Sequence, residues 1–161
     1  AGSGAMALAV ADEVADAEVH AVEAEDSAIA WLRRNVAGTR VVAHHADVGR
    51  CLLELTGTVD VVVANPPYVP LGAEVRDPEV AMHDPAVALW PGADGLDATR
   101  VLERTAARLL RPGGYLFAEH ADVQGLSAPS LFADPARWED VSGHADLASR
   151  PRYLSARRTG P

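Results

Sequence analysis

Val59-Asp60-Val61-Val62-Val63-Ala64-Asn65-Pro66-Pro67-Tyr68 is the stretch that decides how this 161-residue chain folds. Residues 59–64 are apolar except for Asp60 and read as a buried strand. The amide, two prolines and aromatic that follow make a rigid loop, because each proline fixes φ and lacks an N–H. Asn65 and Tyr68 are thereby held at the carboxyl edge of a sheet, where open α/β folds bind ligands.

Upstream, Ala1-Gly2-Ser3-Gly4 leads into residues 5–14, which have helical composition. Residues 19–22 read as a short strand ending at Glu23. Asp26 or Ser27 caps a helix to about Val36, with Ile29 and Leu32 on one face and Arg33 and Arg34 exposed. Residues 40–43 form the next strand, followed by Asp47, and residues 51–55 a helical turn.

Downstream, residues 69–95 are irregular, punctuated by prolines at 70, 78, 85 and 91 and glycines at 72, 92 and 95. A loop this long within a domain is usually functional. Residues 96–110 form a helix stopped by Arg111-Pro112-Gly113-Gly114, then residues 115–119 a strand. A helix over residues 122–132 is interrupted by Gly125 and Pro129. Residues 138–141 and 153–157 suit an antiparallel pair at the sheet edge.

Alternating strands and helices make this an α/β chain: one domain, with a mostly parallel, doubly wound sheet and helices on both faces. The first strand of such a sheet should precede Ala1. The expectation is a chain that starts inside its own cofactor loop.

The net charge is −9, and all 14 basic residues are arginine. That argues against direct nucleic-acid binding, since phosphate contacts need a basic surface. Cys51 is the single cysteine, which excludes an internal disulfide and a multi-cysteine metal cluster. No apolar run approaches the ~20 residues of a membrane span, and no signal peptide opens the chain. The expectation is a cytoplasmic monomer without a metal.

Four positions carry chemistry. Gly2, Ser3 and Gly4 precede a helix, where backbone can approach a ligand and free N–H groups point at it; the plain alternative is a flexible start. Glu23, about twenty residues on, can accept from both hydroxyls of a ribose, or can be a solvated carboxylate beside Glu25 and Asp26. Asp47 can accept from an adenine amine while Val48 packs on the ring. His44 and His45 alternate faces and read as structural or surface residues. Asn65 and the Pro66 carbonyl can accept the hydrogens of an amide nitrogen whose own lone pair is delocalised, and Tyr68 can pack on that planar group. Catalysis is then positioning and electrostatics, without a strong general base.

Asn-Pro-Pro-Tyr in this setting resembles the amino-methylating S-adenosylmethionine (SAM) methyltransferases. The chain more specifically resembles the HemK/PrmC protein-(glutamine-N5) methyltransferases. The likeness rests on Ala1-Gly2-Ser3-Gly4, Ala21-Val22-Glu23, Ala46-Asp47, residues 59–70, Glu74-Val75-Arg76, Gly92-Ala93-Asp94-Gly95-Leu96-Asp97, residues 110–114 and Glu119-His120. It implies a Rossmann-like fold and methylation of the glutamine of Gly-Gly-Gln in class I peptide-chain release factors. It implies SAM contacts from Gly2, Ser3, Gly4, Glu23, Asp47, Val48 and Asn65, and an amide site from Asn65, Pro66, Pro67 and Tyr68. Glu74, Arg76 and residues 94–97 would shape the substrate mouth, though Asp94 can equally cap the following helix. Glu119 and His120 can simply brace the SAM loop. The family's first strand and helical N-terminal domain have no counterpart in these residues, and Glu stands at position 23 where Asp is usual. The competing readings are a methyltransferase for an exocyclic amine of adenine or guanine, and a non-enzymatic SAM-fold scaffold.

Overall fold

The computed structural model describes residues 1–68 and 93–160. The chain forms two compact units, Ala1–Leu53 and Glu54–Pro161. Each unit holds its own sheet, so the single doubly wound sheet read from the sequence is described as two. Glu74, Arg76 and most of the irregular stretch lie outside the described residues.

In the first unit, helix α1 (Ala5–Glu13) leads to strand β1 (Val19–Glu23), helix α2 (Asp26–Asn35) and strand β2 (Val41–His45). β1 and β2 pair in parallel, from Val19 opposite Val41 to Glu23 opposite His45. The alanine-rich α1 has strong helix formers but weak caps. Its C-terminal carbonyls are satisfied from elsewhere: the Arg40 guanidinium donates to the carbonyls of Ala11, Val14 and Ala15. α2 buries Ile29 and Leu32 and exposes Arg33 and Arg34, as its periodicity predicts. Its N-cap is Glu25 rather than Asp26 or Ser27, and no side chain caps it. Leu32, fully buried, joins Val19, Ala21, Val36 and Val41 in the core.

The second unit contains β3 (Val59–Ala64), α3 (Asp97–Leu109), β4 (Leu110–Glu119), the short α4 (Ser127–Ser130), β5 (Trp138–Ala145) and β6 (Pro151–Arg158). The sheet order is β3-β4-β6-β5. β3 pairs β4 in parallel, while β4–β6 and β5–β6 are antiparallel. The sheet is therefore mixed, and the late antiparallel pair is longer than its sequence suggests. β6 lies inside the sheet and β5 at its edge.

Two expectations need correction here. β3 is not fully buried: Val61 and Val63 are 51% and 47% exposed. Among the described residues it pairs only with β4, and Val61 and Val63 share the sheet face that is left exposed. The segment 111–114 does not merely stop a helix; it belongs to β4 as a bulge. Val59 pairs Leu110 and Val61 pairs Tyr115, leaving residues 111–114 opposite Asp60, where Arg111 meets the Asp60 carboxylate at 2.6 Å. Gly114 is required there, since an added Cβ would lie 2.9 Å from the Asp60 carbonyl oxygen.

α3 covers this sheet with Leu102, Ala106 and Leu109 buried, and Leu110 is buried beyond it. It also buries Glu103, whose Oε1 accepts from Trp138 Nε1 at 2.7 Å and pairs with Arg137 at 3.0 Å. The helix expected over residues 122–132 is broken as its Gly and Pro suggest, into a 3-10 turn at Asp122–Gln124 and α4.

Candidate active site

Gly2, Ser3, Gly4, Glu23, Asp47 and Val48 gather at the carboxyl ends of β1 and β2. Gly4 begins α1 with φ 86°, a left-handed conformation that favours glycine. An added Cβ would also lie 2.5 Å from Leu32 Cδ1, so the loop packs on α2 through this position. Around Gly2 a Cβ would meet nothing within 4 Å, leaving open space beside the backbone.

Glu23 ends β1 and turns its carboxylate to this loop. Oε2 accepts from Gly2 N–H at 2.7 Å and from the Ala1 amine at 2.9 Å; Oε1 accepts from Glu25 N–H at 2.9 Å. Burial acts to raise its pKa, but these donors outweigh it and hold the carboxyl below its ordinary value. Glu23 is thus no solvated surface acid. One lone pair remains on Oε1 for a further donor.

Ala46 N–H donates to the Glu23 carbonyl at 3.0 Å, which sets Asp47 beside the end of β1. Asp47 Oδ1 accepts from Gly49 N–H at 2.8 Å, and its other oxygen lies on an exposed residue. Val48 is half-buried. The fit to SAM is good on these observations: free space at the glycine loop, a helix start, an anchored carboxylate with an acceptor to spare and a second carboxylate beside an apolar side chain.

The histidines serve structure. His44 Nε2 lies 2.9 Å from His20 Nδ1, and His45 bonds the Ala24 carbonyl at 3.0 Å, tying β2 to the turn after β1. Among the described residues no group of three or more His, Cys, Asp or Glu is placed to hold a metal ion. No described helix is long and apolar enough to cross a membrane.

The second cluster belongs to the second unit. Asn65, Pro66, Pro67 and Tyr68 follow the carboxyl end of β3. Asn65 is exposed, and its amide has no hydrogen-bond partner among the described residues. Tyr68 is half-buried and donates its hydroxyl to Glu119 Oε1 at 2.8 Å. Burial raises the Tyr68 pKa above its ordinary value, and the hydrogen bond and negative charge of Glu119 raise it further. Arg152 stands 3.7 Å from Glu119 on one side and 3.7 Å from Asp146 on the other.

Sequence reading gave Glu119 and His120 no chemical role, only a brace on the SAM loop, and passed over Gln124. Glu119 braces Tyr68. The available signal is register: Ala64 pairs Ala118, so Glu119 follows on one strand as Asn65 follows on its neighbour. His120 is fully buried, with Nδ1 2.8 Å from the Ala121 carbonyl and Nε2 without a hydrogen-bond partner among the described residues. Contrary to the plainer reading, α3 has Leu96 as its N-cap and no side-chain cap bond, so Asp94 does not cap that helix. Its carboxylate accepts from Leu96 N–H at 3.1 Å and from Arg100 at 2.6 Å, and these hold its pKa down at about 2.

The Methyltransferase small domain family matches residues 1–82. The release factor glutamine methyltransferase of Streptomyces coelicolor is 50% identical over 161 residues, covering 99% of this chain and 57% of that protein. The 4-amino-L-phenylalanine/4-methylamino-L-phenylalanine methyltransferase of Streptomyces pristinaespiralis is 46% identical over 142 residues, covering 88% of this chain and 49% of that protein. The chain thus spans about half the length of these curated relatives. A methyltransferase structure from Pyrococcus furiosus superposes with a TM-score of 0.70 at 20% identity, covering 99% of this chain and 72% of that one. That likeness supports the Rossmann-like methyltransferase fold.

Proposed function

Since this chain belongs to the methyltransferase small-domain family, we propose that it methylates the side-chain nitrogen (N5) of a glutamine, with SAM as methyl donor and residues 1–161 as its catalytic domain. The proposed substrate is the Gly-Gly-Gln glutamine of a class I peptide-chain release factor. Similarity to the named relative supports that choice. A cytoplasmic monomer with no direct grip on nucleic acid accompanies this reading.

The observation that carries it is the exposed Asn65 amide just past β3, without a hydrogen-bond partner among the described residues, near a tyrosine whose hydroxyl is already engaged. SAM, when bound, supplies an electrophilic methyl on a cationic sulfur. Gly2, Ser3 and Gly4 would hold its carboxylate end, Glu23 its ribose and Asp47 with Val48 its adenine. Asn65 Oδ1 and the Pro66 carbonyl would accept the two hydrogens of the glutamine amide. Those contacts orient the nitrogen and stabilise the positive charge that grows on it as its bond to the methyl carbon forms and the carbon–sulfur bond breaks. Pro67 keeps the segment rigid, and the Tyr68 ring packs on the amide plane. The nitrogen then sheds its proton to water.

The Streptomyces pristinaespiralis relative favours a second reading, in which the acceptor is an aryl amine. An exocyclic amine of RNA or DNA fits poorly with a net charge of −9. The test offers labelled SAM with release factor, 4-amino-L-phenylalanine, ribosomal RNA or DNA, followed by peptide mass mapping. One methyl on the Gly-Gly-Gln glutamine is expected. Label confined to the small amine or to nucleic acid would overturn the release-factor assignment.

A further inference from the structure

We propose that Gln124 is a positioning residue for the methyl-acceptor site: its carboxamide holds the exit of the Asn65–Tyr68 segment and ties it to the Asp94 turn. This rests on the function proposed above.

Gln124 is buried, 3% exposed, in the turn that follows β4. Its Nε2 donates to the Tyr68 carbonyl at 3.0 Å and to the Asp94 carbonyl at 3.0 Å. Its Oε1 accepts from Ala121 N–H at 2.9 Å. These partners settle the orientation of the amide, because a flipped group would set its oxygen against two carbonyls and its nitrogen against an N–H. Each Nε2 hydrogen therefore has its own carbonyl.

Tyr68 and Asp94 are far apart in sequence, and one side chain holds the carbonyls of both. Asp94 is pinned a second time, through its carboxylate, to Leu96 N–H and Arg100. Tyr68 is likewise held twice, by its carbonyl on Gln124 and its hydroxyl on Glu119. Pro66 and Pro67 leave the segment few other conformations. Its end position is then set by these two anchors, and with it the direction in which Asn65 and the Pro66 carbonyl face. No other side chain bridges these elements among the described residues with both donors and an acceptor in use.

Only Gln meets this demand. Glu keeps the acceptor but lacks both donors, and Met keeps the approximate length with neither. Gln124→Met and Gln124→Glu are the test variants, measured for kcat, KM and SAM affinity. In parallel, the Tyr68 phenol is titrated by NMR on ¹³C-tyrosine-labelled protein, its signal assigned with Tyr68→Phe. The expected result is a ~10- to 100-fold fall in kcat, the scale of a misplacement of about 1 Å. SAM affinity should hold within about threefold, and the Tyr68 pKa should fall toward ordinary tyrosine as the ring leaves Glu119. A packing role alone would not move that titration.

An unchanged Tyr68 titration in either folded variant overturns the inference, as does an unchanged kcat in a protein whose parent is active. If the parent methylates none of the offered acceptors, the proposed function fails, and the Tyr68 titration still decides whether Gln124 positions this segment.

Discussion

The hydroxyl of Tyr68 donates to the carboxylate of Glu119 across 2.8 Å, joining the loop after β3 to the end of β4. The phenol is engaged by the protein, so under the proposed function the ring face and not the hydroxyl would meet a planar substrate. The bond also makes Tyr68 sensitive to alkali. Its pKa is raised, by burial first and then by Glu119, so the folded chain holds this proton more tightly than the unfolded chain. The associated stability is fully present below about pH 10, the ordinary tyrosine value, and is lost as pH rises through the folded value. Tyr68→Phe should therefore melt below the parent at pH 8, with the gap closing as pH is raised to 11. Thermal melts over that range check it; a constant gap would deny the linkage.

Asn65→Ala removes an acceptor that has no partner among the described residues. SAM affinity should stay within about threefold while transfer falls ~100- to 1,000-fold, the usual cost of one electrostatic contact made in the transition state. Calorimetry and single-turnover rates separate the two quantities. Unchanged turnover would remove Asn65 from the mechanism.

Glu23→Ala should weaken SAM binding ~10- to 100-fold, in line with ~1.5–3 kcal/mol for hydrogen bonds to a charged group. The Glu23 pKa is depressed, so its stabilising contribution is present above the ordinary glutamate value and is lost as pH falls through the lower folded value. Melts of parent and Glu23→Gln should converge in acid and separate toward neutrality.

Gly4→Ala and Gly2→Ala should part ways. At Gly4 the left-handed φ and the 2.5 Å approach to Leu32 Cδ1 act together, for an expected loss of ~1–3 kcal/mol in denaturant unfolding. At Gly2, where φ is 56° but a Cβ meets nothing, the loss should be smaller and the effect on SAM affinity larger. Equal stability losses would show that packing on α2 is not what Gly4 serves.

The strands and most helices were legible in the sequence because their signals are local. Val59–Ala64 has the composition of a strand, α2 places Ile29 and Leu32 on one face, and Gly125 with Pro129 breaks the helix expected near residue 127. The positions of Asn65, Glu23 and Asp47 at or just past strand ends were legible as well, since the strands that lead to them have clear limits in the sequence. What stayed hidden depends on pairings between distant segments. The bulge at residues 111–114 exists only opposite Asp60, and the exposure of Val61 and Val63 depends on what packs on their face of the sheet, which composition does not state. Arg40 on the end of α1, Glu119 on Tyr68 and Gln124 on two carbonyls are likewise invisible to periodicity. A lone polar side chain in a sequence does not say which orphan donor or acceptor it will reach. By itself the sequence determined where the strands run and which polar residues follow them; the tertiary structure alone decided which side chains hold those residues in place, because hydrogen bonds form between groups that folding, not chain order, brings within about 3 Å.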